Sequence, residues 1–216
     1  MSHLICLPSF NEAENIAFMI DELLRCGYTD YIISDANSTD GTAQIAKDKG
    51  ARILPRTGHG KGYAIKDALN FAAANEYESV IFLDCDRTYP VDDIAKLIQA
   101  FPGNDMVVGC RNFRDIDWPR NWANVIMTGW TNLVFWANVQ DMATGMRMIR
   151  VNKFKGKITA QSFDVEPQMH GLALRNKWKI QEVSINYNKR VGSSKINIGH
   201  LFLILYRVVS ERLKFT

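Results

Sequence analysis

Asp84-Cys85-Asp86 places two carboxylates one residue apart, directly after the apolar run Val80–Leu83. Two acids so spaced at a strand end can approach one divalent ion. That ion can bridge two phosphates and neutralise charge on a leaving diphosphate. The plain alternative is an exposed turn with two acids; the apolar run before the pair and Pro90 behind it favour the metal reading. Gly58-His59-Gly60-Lys61-Gly62 opens a helix. Its backbone N–H groups can hold an anion, or its glycines serve a tight turn alone. The stretch follows the third strand rather than the first and lacks P-loop spacing. Arg190-Val191-Gly192-Ser193-Ser194-Lys195 sets two cations among small residues, a loop able to fold over a phosphate or a solvated basic turn. No Ser-His-Asp or Cys-His arrangement has a readable local context, and the four histidines are scattered singly.

These groups are useful only if the fold gathers them, and the pattern around them says how. Strand signals at Leu4–Leu7, Tyr31–Ser34, Ala51–Leu54, Val80–Leu83 and Met106–Val108 alternate with helix signals at Asn11–Cys26, Asp40–Lys49, Lys61–Asn75 and Val91–Phe101. Repeated βα units predict a mostly parallel α/β sheet between helix layers. In such sheets ligands collect at the carboxyl ends of the strands, where Pro8–Glu12, Asp35–Gly41, Asp84–Asp86 and Gly109–Arg111 all fall. The second half is less regular. Pro119–Asn138 predicts a helix rich in tryptophan, Met146–Ile149 and Lys179–Ile185 predict strands, and Phe163–Asn176 and Ile196–Lys214 predict helices, the last amphipathic.

The chain has 216 residues, 47% hydrophobic and 23% charged, enough for one large soluble domain and against disorder. A net charge of +3 argues against nucleic acid as a main partner. Cys6, Cys26, Cys85 and Cys110 form no C-x-x-C pair, so reduced thiols are expected rather than a disulfide framework or zinc site. The first residues show no signal-peptide pattern, and the longest apolar run, Leu201–Tyr206, is far short of the roughly 20 residues a spanning helix needs. The expected location is cytoplasmic, with peripheral contact at the membrane face.

Taken in order, Leu7–Asn15, Ser38–Thr42, Gly60–Gly62, Asp84–Asp86 with Tyr89-Pro90, Gly109–Arg111, Asp141–Gly145 and Arg190–Lys195 resemble the family 2 glycosyltransferases of the GT-A fold. Within them the likeness is to dolichol-phosphate mannose synthases and other polyprenyl-phosphate glycosyltransferases. The resemblance implies a GT-A, Rossmann-like catalytic domain over residues 1–195 and an amphipathic C-terminal helix over 196–216. It implies inverting transfer of a sugar from a nucleotide-diphosphate sugar, GDP-mannose or a UDP-sugar, to a dolichyl or undecaprenyl phosphate, with Mg²⁺ or Mn²⁺. By the same resemblance Asp84 and Asp86 are metal ligands. Pro8, Phe10, Glu12, Asp35, Asp84, Arg190 and Lys195 hold the nucleotide-sugar, Arg111 and Arg120 meet the acceptor phosphate, and Asp141, Arg111 and Asp86 are catalytic. The expected partners beside the two substrates are a peripheral membrane surface or a membrane-protein subunit, with a homo-oligomer left open.

Three positions depart from the family pattern. Ala36 stands where many members have a second aspartate near the base, Thr88 where a glutamine often stands near the metal, and Phe10 where tyrosine is common. Both the Trp-rich helix and Leu201–Val209 can offer apolar faces to a bilayer, with Arg207, Arg212 and Lys214 toward headgroups, or can complete a core or dimer interface. The competing functions are a glycosyltransferase with a soluble or glycan acceptor, a nucleotidyltransferase, and a non-catalytic glycosyltransferase-like subunit.

Overall fold

In the central strands, successive residues feed opposite sides of one sheet. Ile5, Leu7, Ile33, Ile81 and Leu83 face one apolar core, while Leu4, Cys6, Ile32, Val80 and Phe82 face another. A sheet covered on both sides needs this unbroken apolar character, and it is why these runs lack polar alternation. The computed structural model describes residues 2–112, 118–191 and 198–214. The strands are β1 (His3–Ser9), β2 (Tyr31–Asp35), β3 (Arg52–Pro55), β4 (Ser79–Phe82), β5 (Met106–Arg111), β6 (Arg147–Arg150) and β7 (Ile180–Ile185), in spatial order β3-β2-β1-β4-β6-β5-β7. All pairings are parallel except those of β6, which runs antiparallel between β4 and β5.

The helices are α1 (Ala13–Arg25), α2 (Thr42–Asp48), α3 (Lys61–Ala74), α4 (Ile94–Ala100, entered through the 3-10 turn Val91–Asp93), α5 (Trp118–Phe135), α6 (Val151–Phe154), α7 (Val165–Arg175) and α8 (Ile198–Leu213). Residues of α1, α2 and α4 fill the first core, and residues of α3, α6 and α7 fill the second. The expected βα order is therefore present. The antiparallel insertion of β6 and the short α6 are additions, because a strand's direction leaves no mark on its own residues.

Helices α5 and α8 pack on each other, and α8 also packs on α7. Trp130 donates its indole N–H to the Leu205 carbonyl at 3.2 Å, while Met127, Met142 and Ile204 form a small core beneath. Glu211 of α8 is fully buried and meets Arg175, Arg207 and Lys214. Arg207 also pairs with Asp164 at 2.6 Å. Two of the three cations expected to face lipid headgroups are thus spent internally on buried acids that need them. Among the described residues no helix is long and apolar enough to cross a membrane.

Candidate active site

The registers Ser9↔Asp35 and Asp35↔Pro55 bring the carboxyl ends of β1, β2 and β3 level. Two loops there are stitched together by short polar side chains. Asn11 N–H donates to Ser38 Oγ at 2.8 Å, Asn11 Oδ1 accepts from Thr39 N–H, Asp40 Oδ2 accepts from Ala13 N–H, and Thr42 Oγ1 accepts from Glu12 N–H. Asn11 and Asn37 take left-handed backbone (φ 52° and 58°), which asparagine tolerates. Arg56 spans this edge, reaching the carbonyls of Ser9, Ser34 and Gly60 at 3.1, 2.6 and 3.3 Å.

Above the edge lies a cleft of about 1210 Å³. Pro8, Phe10, Glu12, Asp84, Asp86, Arg111 and Arg190 all line it, so most of the residues picked from sequence are gathered. Asp35 does not line it. Its carboxylate accepts from Ser9 Oγ, Ser38 N–H and Ser38 Oγ, which makes it a brace for the loop, and Ala36 faces the cleft instead. The Arg120 side chain and Lys195 lie outside the described residues.

Asp84 Oδ1 is 2.6 Å from Lys61 Nζ, and the same ammonium is 2.7 Å from Glu166 Oε1. Burial pushes the Asp84 carboxyl up, but Lys61, Arg190 and Arg111 more than offset it and hold it below the ordinary carboxylate value. Asp86 behaves oppositely. Burial and the neighbouring Asp84 charge raise it, despite Arg190 at 2.5 Å and the hydrogen bonds from Thr88. Thr88 therefore serves the first carboxylate oxygen of Asp86, leaving the second to Arg190. Asp84 Oδ2 packs so closely on Gly145 that a Cβ there would stand 1.9 Å away. Gly145 N–H in turn donates to the buried Tyr89 hydroxyl at 2.7 Å.

Asp141 is fully buried beside the cleft rather than in its lining. Arg111 binds it through two arms, Nε–Oδ2 at 2.7 Å and Nη2–Oδ1 at 2.8 Å. Burial raises the Asp141 carboxyl, and the arginine more than reverses that, so it sits below the ordinary value. A carboxylate with both oxygens so engaged is a poor proton acceptor. Asp141 orients Arg111, whose guanidinium also lies 5.2 Å from the Tyr187 ring centre.

The glycines around Lys61 have a packing role of their own. A Cβ at Gly60 or Gly62 would come 2.3 and 2.2 Å from the carbonyl oxygens of Gln161 and Ala160. Gly62 N–H already donates to Gln161. These glycines let α3 press against the 160–161 segment and so fix Lys61. Glu166 escaped the sequence reading because an acid in a helix's first turn is ordinary. Its partner is 105 positions away, and no local pattern links them. Arg147, buried at the start of β6, holds the carbonyls of Met142 and Thr144 at 3.2 and 2.6 Å, and so shapes the Asp141–Gly145 turn.

Among the described residues no three His, Cys, Asp or Glu side chains cluster as a metal cage. Two hard carboxylates lining a cleft with ample room for a diphosphate suit an ion that takes one or two protein oxygens and draws the rest from phosphate and water, as Mg²⁺ does. The donor set therefore fits a divalent cation.

A mostly parallel sheet with one antiparallel strand, an acid pair at a strand end and the cleft above it define a GT-A type transferase. Residues 4–211 match the model of glycosyl transferase family 2, and the chain belongs to that family of enzymes. It is 30% identical over 94% of its length to glycosyltransferase AglJ of Haloferax volcanii, covering 70% of that protein. It is 26% identical to the dolichyl-phosphate hexose transferase of the same organism, covering 89% of this chain and 86% of that one. It is 23% identical to the undecaprenyl-phosphate mannosyltransferase of Micrococcus luteus, with 92% and 89% covered. Among solved structures, glucosyl-3-phosphoglycerate synthase from Mycobacterium tuberculosis, in complex with Mn²⁺, UDP and phosphoglyceric acid, superposes with a TM-score of 0.77 at 20% identity, over 98% of this chain and 77% of that one. That likeness supports the fold.

Proposed function

We propose that the protein transfers a hexose, with inversion, from a nucleoside-diphosphate sugar to the phosphate of a polyprenol. The observation that carries the acceptor class is the two-sided cleft. Arg111 and Arg190 lie on its polar floor, while Trp122, Ile126, Met127, Leu201 and Ile204 of α5 and α8 form an apolar wall of the same space. A soluble phosphorylated acid has no use for such a wall, whereas a lipid phosphate needs both surfaces. The names of the Haloferax and Micrococcus relatives agree with this reading. In it, residues 1–195 supply the catalytic domain, and 196–216 supply a helix that meets the cytoplasmic membrane face or a membrane subunit.

The donor nucleoside lies along Pro8, Phe10 and Glu12, with the half-exposed Phe10 ring stacking on the base. Asp84 and Asp86 would hold Mg²⁺ or Mn²⁺, which offsets charge on the diphosphate when bound. Arg111, fixed by Asp141, draws in the acceptor phosphate. A phosphate oxygen then bonds to the anomeric carbon as the bond from that carbon to the diphosphate oxygen breaks, and the electron pair leaves on the nucleoside diphosphate. A phosphate monoester has its second pKa near 6, so the acceptor is largely deprotonated at neutral pH. It needs no base, in keeping with a buried and paired Asp141.

The test is transfer of label from a panel of GDP- and UDP-sugars, with Mg²⁺ or Mn²⁺, to a short polyprenyl phosphate in detergent. Phosphoglyceric acid serves as the soluble competitor. Label entering the organic phase with one donor, and lost with EDTA, is the expected result. Transfer to the soluble acid alone would overturn the lipid assignment and leave a glycosyltransferase with a soluble acceptor.

A further inference from the structure

We propose that Arg190 is a counterion latch that makes metal binding depend on the donor diphosphate. The inference rests on the donor-and-metal reading above and extends it to the order in which the site fills.

Asp86 has two oxygens. Oδ1 accepts from the Thr88 N–H and hydroxyl, so it is spent on its own turn. Oδ2 is 2.5 Å from Arg190 Nη2. A divalent ion approaching Asp86 must therefore take the oxygen Arg190 holds. Around it the other acids are also paired, Asp84 and Glu166 through Lys61 and Asp141 through Arg111. An ion arriving alone displaces the guanidinium of a side chain that is four-fifths buried and leaves it without a counterion, a costly state. An ion arriving with a diphosphate supplies the displaced guanidinium with a new anion in the same step.

Two features suit Arg190 to this exchange. It grips Asp86 by one arm, and its Nε is buried with no hydrogen-bond partner among the described residues. Arg111, by contrast, is held through both Nε and Nη2 and cannot leave Asp141 so easily. The backbone carrying Arg190 is also anchored. Val191 N–H donates to the Asp86 carbonyl at 3.2 Å, Asn188 N–H to the Thr88 carbonyl at 2.8 Å, and Asn186 N–H to Asp93 at 2.6 Å. The guanidinium can change partners while its strap stays in place.

The experiment titrates Mn²⁺ into the whole chain and follows free ion by electron paramagnetic resonance, with and without UDP or GDP. In the wild type, the nucleotide should tighten Mn²⁺ binding at least a hundredfold. Arg190→Gln should bind Mn²⁺ alone about tenfold more tightly than wild type, and the tightening by nucleotide should shrink by at least tenfold. Arg190→Lys, which keeps a cation, should fall between the two and serves if the glutamine variant does not fold. Nucleotide-free affinities that are equal in wild type and variants, or weaker in the variants, would overturn the latch. A wild type that binds no Mn²⁺ even with nucleotide would overturn the metal site itself, and the latch with it.

Discussion

On the floor of the cleft Asp84, Asp86 and Glu166 each touch a cation, as does Asp141 buried beside it, and the side chains of Lys61, Arg111 and Arg190 are all four-fifths buried or more. On the facing helices, Trp122 and Ile126 of α5 are 57% and 46% exposed, and Phe202 and Tyr206 of α8 about 70%. The same cleft joins one surface where charge is gathered and desolvated to another where large apolar groups meet solvent. Desolvated, preorganised charge acts on a polar reaction centre, because nothing need reorganise as charge moves. Exposed apolar area gives no such leverage and is put to use only when something apolar covers it. Substitutions on the two surfaces should therefore fail in different ways.

The largest effect should come from Asp86→Asn. The amide keeps the shape but removes the charge that Arg190 faces and that a divalent ion would need. We expect transfer to fall about 10²–10³-fold, the scale of losing one preorganised electrostatic contact. The polyprenyl-phosphate assay beside a thermal melt checks it. Near-normal transfer in a folded variant would remove the acid pair from the chemistry and erase the contrast between floor and wall.

Asp141→Asn should act on the same floor mainly through folding. Arg111 would remain buried without its counterion, a loss of about 3–5 kcal/mol for a broken buried pair. The pH dependence has a definite sign. Asp141 has a folded pKa below its unfolded one, so it contributes stability above the ordinary carboxylate range and loses it as pH falls through the folded value. Urea unfolding from pH 7 down to pH 3 should show the wild type losing more stability than the variant. Parallel curves would mean that the pair is not what holds Arg111.

Much of the floor was legible in sequence because its parts are local strings. Asp84-Cys85-Asp86 follows an apolar strand, and Asn11-Glu12 and Ser38–Thr42 carry the short polar side chains that interlock the first two loops. The strand-end rule gathers these strings at one edge of the sheet. What escaped was set by partners far along the chain. Asp35 reads as a nucleotide contact until Ser38 folds back on it, and Asp141 reads as either an orienting group or a base until Arg111 closes on both oxygens and favours the first. Arg207 and Lys214 read as a basic fringe on an amphipathic helix until Glu211 and Asp164 are seen beneath them. Residue type announces a capacity for charge; the fold alone says whether that charge is spent.

The smallest effect should come from the wall, and it is the one that tests what the wall is for. Trp122 lines the cleft beside Ile126 yet remains more than half exposed, and Phe202 is exposed on α8, the helix whose Leu201 and Ile204 line the same space. Exposed side chains contribute little to folding, so Trp122→Ala and Phe202→Ala should melt close to wild type. If a polyprenyl chain covers this face, removing one ring forfeits about 1 kcal/mol of apolar contact. That is roughly a fivefold rise in KM for the lipid phosphate. The KM for the nucleotide-sugar should not move, since the floor is untouched. A short, water-soluble alkyl phosphate should feel neither change, because it reaches Arg111 without crossing the wall. An equal rise for both acceptors would instead place these rings in the fold of the site, and the division between a charged floor and a lipid-facing wall would no longer hold.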